Sequence, residues 1–140
     1  MRIVLDTDVV VAGMRSPRGA SAALLLAGLD RRVTFLVSVP LMLEYEAICR
    51  LAEHRLASGL SLREVDVFLD ALAALAEPIE SRFLWRPLLR DPGDEMVLET
   101  AINGQAKAIA TFNIRDFGDA PARFGVSVAR PGDILRRIQS

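Results

Sequence analysis

Asp6, Glu44, Asp94 and Asp116 each stand where an apolar run ends or a helical pattern begins. In open α/β sheets the carboxyl ends of the strands form the edge at which ligands bind, so acids at such junctions are candidates to meet. Carboxylates brought together repel by about 4 kcal/mol per close pair at an intermediate effective dielectric. A cluster of four survives only if cations neutralise it or some members stay protonated. Oxygen donors alone favour Mg2+ or Mn2+ over Zn2+. One or two such ions can generate a hydroxide nucleophile and stabilise the leaving oxygen of a phosphodiester. His54 is the single histidine and Cys49 the single cysteine, so the chain has no second set of side chains for other cofactor chemistry. A lone cysteine also excludes an internal disulfide and a cysteine-rich zinc site.

Taken one at a time, the acids have ordinary explanations. Asp6 can form a turn, and Glu44 can pair with Arg50 or Arg55. Asp94 can be the third residue of a capping box opened by Asp91, and Asp116 can make an Asx-turn before Gly118. Their joint order is what raises the metal reading. Glu44 adds an anomaly of its own. In a helical pattern over 40–56 it falls three after Leu41 and four before Ile48, on an inward stripe that continues to Leu51 and Arg55. A carboxylate on an apolar face has to be paired, protonated or bound to a cation. His54 reads as a surface or end-of-helix residue, and Tyr45 and Cys49 read as packing.

The elements that must carry these residues alternate in type. Residues 2–5 are a short apolar run that reads as a first, central strand ending at Asp6-Thr7-Asp8. A Ser16-Pro17-Arg18-Gly19 turn leads into a helix rich in Ala and Leu, Ala20–Leu29. Residues 33–38 form a second buried strand, and Ser38 or Val39 caps the helix over 40–56, with Pro40 in its first turn. After a turn at 58–61, residues 62–76 make an amphipathic helix with Val65, Phe68, Leu69, Leu72 and Leu75 inward, antiparallel to the one before it. A surplus apolar face on this pair would serve a dimer or a partner. Residues 77–80 fit a short edge strand; residues 81–89 show no clear pattern, and Trp85 within them reads as packing. Asp91-Pro92 opens a helix that runs through Val97, Leu98, Ala101 and Ile102 and stops at Asn103-Gly104. Residues 107–111 are a buried strand whose carboxyl end delivers the polar cluster Thr111, Asn113 and Asp116. Residues 125–128 make a last strand, and Pro131 opens a final helix with Ile134, Leu135 and Ile138. The predicted architecture is a three-layer α/β/α sandwich around a mostly parallel sheet with right-handed crossovers, a single domain over 1–140.

Half of the residues are hydrophobic and a quarter charged, an ordinary globular composition. A net charge of −1 excludes a chain coated with positive charge but leaves room for a local basic patch. Lys107 is the only lysine among 17 basic residues, so the others are Arg, whose fork suits phosphate. A GC-rich genome accounts for that bias as readily. No apolar run reaches the ~20 residues that span a membrane. The first residues meet Asp6 after three apolar positions, unlike a signal peptide, and a cytoplasmic location is expected.

Four blocks carry a resemblance: Ile3-Val4-Leu5-Asp6-Thr7-Asp8, Ser38-Val39-Pro40-Leu41-Met42-Leu43-Glu44-Tyr45, Arg90-Asp91-Pro92-Gly93-Asp94-Glu95-Met96-Val97-Leu98-Glu99-Thr100-Ala101 and Ala110-Thr111-Phe112-Asn113-Ile114-Arg115-Asp116-Phe117. Together they resemble PIN-domain ribonucleases, in particular the VapC-type toxins of type II toxin–antitoxin systems. The likeness spans nearly the whole chain, and the last two blocks are its most specific part. It implies that Asp6, Glu44, Asp94 and Asp116 are metal-binding catalytic acids, with Thr111 and Asn113 supporting the site. It further implies Mg2+- or Mn2+-dependent cleavage within RNA, using one or two ions, inhibition by a cognate antitoxin, and a homodimer. Arg15, Arg18 and Arg115 become candidates for RNA contact, beside the ordinary reading of each as a surface ion pair. Two departures stand out. Asp8 occupies a place where this group usually has Asn or another small polar residue, and Asn113 one that is Asp in some relatives. Asp91 adds an acid beside Asp94, as an outer ligand or a cap.

Two other functions fit parts of the chain. A haloacid-dehalogenase-like phosphatase would use Asp6 as covalent nucleophile and Asp8 as general acid, from the apolar strand and the two acids spaced by one. That chemistry wants a lysine at the phosphoryl group, and Lys107 precedes its strand, at the wrong edge. A catalytically inactive domain that binds RNA or a partner is the third reading, and the presence of all four acids disfavours it.

Overall fold

In the computed structural model, which describes residues 1–80 and 88–139, five strands form one sheet in the order β3-β2-β1-β4-β5, every neighbour parallel. The strands are β1 (Arg2–Leu5), β2 (Thr34–Val37), β3 (Glu77–Pro78), β4 (Ala108–Ala110) and β5 (Ser127–Ala129). The register sets Leu5 beside Ala110, and Ala110 beside Ala129. Ile3, Val4 and Leu5 are all buried, as are Ala108, Ile109 and Ala110. Strands covered on both faces require such continuous apolar runs. The sheet is all-parallel where a mostly parallel one was expected, and the three-layer α/β/α architecture holds.

The helices are α1 (Thr7–Arg15), α2 (Ala20–Leu29), α3 (Val39–Cys49), α4 (Ala52–Ser58), α5 (Leu62–Leu75), α6 (Pro92–Asn103) and α7 (Pro131–Gln139), with 3-10 turns at Ile114–Phe117 and Pro121–Phe124. α2 packs on α1 and α7, while α6 lies against β1, β2 and β4. α3 touches α1 and α6 and carries α5. Ser38 caps α3 by accepting from the Leu41 N–H, and its hydroxyl meets Thr100 Oγ1 of α6 at 2.9 Å. Arg2 ties the other end of the sheet together, donating to the Gly104 carbonyl at 2.9 Å and pairing with Glu77 at 2.6 Å.

Two elements differ from the sequence expectation. Residues 7–15 form a helix that was not foreseen. Three consecutive β-branched valines weaken helix propensity. Here the Asp6 cap and the burial of Val9, Val10, Val11 and Met14 outweigh that preference. The helix expected over 40–56 is two helices, because Leu51 turns to extended backbone after Cys49. The inward residues of α3 are therefore Leu41, Tyr45 and Cys49, spaced by four. Glu44 and Ile48 are half-buried on its flank, and Leu51 is exposed. The break lets α4 lie against α1. Residues 81–87, with Trp85, lie outside the described residues. No helix among the described residues is long and apolar enough to cross a membrane.

Candidate functional site

In chain order β1 is followed by β2 on one side, while β4 lies on its other side, so the direction of winding reverses between β1 and β4. A crevice opens at such a switch point, beyond the carboxyl ends of the strands. Asp6 and Thr111 are the first residues past β1 and β4, and they meet there. Asp6 holds its place through its N–H, which donates to the Ala110 carbonyl at 2.9 Å. Its carboxylate caps α1, accepting from the Thr7 N–H at 2.8 Å on Oδ1 and from the Thr111 hydroxyl at 2.7 Å on Oδ2. Thr111 Oγ1 in turn accepts from the Asn113 N–H at 3.0 Å. Asp6 is 7% exposed and Thr111 fully buried, so this network has no water to fall back on. Beneath it the buried Tyr45 hydroxyl donates to the Leu5 carbonyl and fixes α3 under the site.

Burial pushes the Asp6 carboxyl above the usual range, against the opposing hydrogen bonds from Thr111 and Thr7, and the charges of Asp91 and Asp116 push the same way. Asp94 is raised to about 6 by burial first, then by Asp6, Asp91, Asp116 and Asp8. Asp6, Asp8, Asp91, Asp94 and Asp116 thus share one electrostatic field. Asp91 is the cap of α6, accepting from the Gly93 and Asp94 N–H groups at 2.7 and 3.4 Å, which leaves the Asp94 side chain free of that duty. Glu95 holds the approach to α6, accepting from the Leu88 and Leu89 N–H groups at 3.0 and 2.8 Å. Asp116 sits in the 3-10 turn, and its carboxylate makes no Asx-turn bond among the described residues. A hollow lined by Arg90, Asp91, Asp94, Arg115 and Asp116 opens on this side.

Glu44 is not among the residues lining this hollow. It lines a second hollow, against α1, with Asp8, Arg15 and His54. Neither expected ion pair forms: Arg50 is taken by Asp66, and the Arg55 Nε is buried without a hydrogen-bond partner. His54, read as a surface residue, has a side chain only 15% exposed and packs between Arg15 and Glu53.

Asp8, which the sequence reading gave a role only in the phosphatase alternative, lies beside Asp6 and Asn113 in the structure. Its Oδ2 accepts from the Phe112 N–H at 3.0 Å and from Asn113 Nδ2 at 3.1 Å, fastening α1 to the loop after β4. Burial, then Asp6, raise its carboxyl to about 6. The spacing Asp6-Thr7-Asp8 was the available signal. The unforeseen α1 hid its meaning, because a helical second position turns Asp8 back toward the strand end.

The donor set can be tested against a hard divalent cation. All the groups are oxygens, Asp8 Oδ1 is buried with no partner, and each Asp6 oxygen has a lone pair to spare. Among the described residues no three His, Cys, Asp or Glu side chains already converge to enclose an ion. Mg2+ does not need them to, since it keeps several waters and binds through one or two carboxylates and substrate phosphates. The residues fit such an ion.

Lys107, the residue the phosphatase reading needed, borders a hollow with Met1 and Arg2 at the opposite, amino-terminal edge of the sheet. A search of curated proteins and of solved structures matched nothing. The family model of the PIN domain matches residues 2–115, a span that includes Asp6, Glu44, Asp91, Asp94, Thr111 and Asn113 and stops one residue short of Asp116. A match over that much of the chain, on an all-parallel sheet, means that the chain belongs to the PIN-domain family, whose members are in general nucleases.

Proposed function

We propose that the protein is a metal-dependent endoribonuclease that hydrolyses RNA phosphodiester bonds. The observation that carries this reading is geometric: Asp6 is held on Thr111 at the switch point of the sheet, while Asp91, Asp94 and Asp116 line one hollow, and the charges of Asp91 and Asp116 act on Asp6. Asp6, Asp94 and Asp116 would hold Mg2+ or Mn2+, with Glu44 reaching in from the adjoining hollow and Asp91 as an outer acid. The ion, when bound, supplies a Lewis acid for the phosphate and lowers the pKa of water. Thr111 and the Thr7 N–H orient Asp6, and Asn113 with Asp8 fixes the loop that carries Asp116. The half-buried Asp94, raised to about 6 by burial and by the neighbouring acids, is an acid whose charged form a nearby cation would favour.

The toxin role belongs to the same reading, with a cognate antitoxin and a homodimer as partners. It is supported by a groove between α2 and α5 lined by Leu25, Leu26, Leu29, Phe68 and Leu72, with Leu26 and Leu29 each more than half exposed. Cleavage of RNA with Mn2+ and with chelator tests the chemistry. Wild type should cut only with metal, and Asp6→Ala and Asp94→Ala should not cut while staying folded. Retained cleavage in those variants sinks the assignment.

A further inference from the structure

The arginines of this protein divide by partner. Arg2, Arg50, Arg123 and Arg136 each face a carboxylate: Glu77, Asp66, Asp119 and Asp133. Arg15 does not. Its Nη1 lies 3.3 Å from His54 Nδ1. A guanidinium only donates, so the imidazole accepts at that nitrogen and carries its proton on Nε2, 3.4 Å from Glu53 Oε1. A neutral acceptor orients the guanidinium without cancelling its charge. Among the described residues Arg15 is also the only Arg or Lys bordering the hollow that holds Asp8 and Glu44, and it forms an ion pair with neither acid. In the other hollow, Arg90 and Arg115 stand with Asp94 and Asp116, and neither has an ion pair among the described residues. Each of the two hollows that hold the acids therefore also carries arginine with no carboxylate partner among the described residues. A polyanion crossing acids needs such grips, because the acids alone repel it.

Resting on the ribonuclease reading, we propose that Arg15, oriented by His54, binds one phosphate of the RNA strand on the Glu44 side of the acids. RNA then runs from that hollow across Asp6 to the hollow of Arg90 and Arg115.

Arg15→Gln is the informative variant, since it removes the guanidinium charge while leaving a polar side chain on α1. Binding of a short single-stranded RNA, followed by fluorescence anisotropy in chelator over a salt series, is independent of cleavage. Arg15→Gln should weaken binding roughly three- to fivefold at low salt and lower the slope of log affinity against log salt by about 0.7, the value for one phosphate contact on a single strand. Arg15→Lys should restore most of the slope. Arg32→Gln, at the amino edge of β2, should match wild type. With Mn2+ present, Arg15→Gln should raise KM and leave kcat near wild type. Wild-type affinity and slope in Arg15→Gln would mean that Arg15 only ties α1 to α4, and would overturn the proposal; so would wild type that binds no RNA in chelator. Wild type that binds RNA yet never cleaves it with metal would instead defeat the ribonuclease reading while leaving the phosphate grip standing.

Discussion

Asp8 serves two roles that oppose each other. Its Oδ2 accepts two hydrogen bonds that hold the loop after β4, while its Oδ1 is buried without a partner in the field of Asp6. The carboxyl is raised to about 6 against an ordinary 3.8. The unfolded chain therefore releases this proton near pH 4, the folded one near pH 6. Between those values the folded state binds more protons, so stability falls as pH rises, and above about 6 the penalty is fully present. Asp8→Asn keeps an acceptor for Phe112 and Asn113 and removes the charge. In chelator it should raise the Tm at pH 7.5 by a few degrees, on the order of 1 kcal/mol, and change it little at pH 4. RNA cleavage should survive the change, whereas a phosphatase with Asp8 as general acid would be dead. Thr111→Val makes the opposite prediction. It strips Asp6 of a buried donor, at a cost of about 1–3 kcal/mol in urea unfolding. Because that bond favours ionised Asp6, the loss should be larger at pH 7.5 than at pH 4; an equal loss at both would mean that Thr111 merely fills space.

At the scale of elements, legibility followed local chemistry. α6 could be read from its sequence, because Asp91 caps it, Pro92 opens it and Gly104 ends it, all within local reach. β1, β2 and β4 were visible as apolar runs because both faces are covered. α1 was not, since its three valines speak for a strand, and the Asp6 cap together with burial against α2 and α3 decides otherwise. The break after Cys49 has no proline or glycine to announce it. Among the candidate residues, the meeting of Asp6 and Thr111 could be read from two strand ends, whereas the separate hollow of Glu44 depends on where α1 passes. One contact is more exacting than any local rule. A Cβ on Gly28 would lie 2.2 Å from Phe35 Cε2, so α2 can approach β2 only with glycine there. Ala would gain up to ~1 kcal/mol of helix propensity. Overpacking against a buried ring costs about 1–3 kcal/mol, and the ring is 3% exposed with nowhere to move. Gly28→Ala should therefore lower the unfolding free energy; an unchanged or higher midpoint in urea would show that the sheet shifts to admit it.

For the whole molecule, the topology holds apart charges that the sequence scatters. Asp6 and Asp116 are more than a hundred residues apart, and only the parallel pairing of β1 with β4 makes them neighbours. Folding without a cation therefore assembles its own repulsion, and a cation that binds only the folded state should return that energy. At a metal concentration about a hundredfold above the dissociation constant the gain is about 2.7 kcal/mol. Wild type should melt several degrees higher in Mn2+ than in chelator at pH 7.5. The gain should shrink toward pH 5, where Asp8 and Asp94, raised to about 6, carry protons that the metal must displace. Asp6→Asn should cross over with wild type: more stable in chelator, because repulsion is relieved, and less stable in Mn2+, because a ligand is missing. Calorimetry of the two proteins in both buffers decides the matter. Parallel shifts with Mn2+ in wild type and Asp6→Asn would place any metal elsewhere, and no shift in either would count against a metal at these acids.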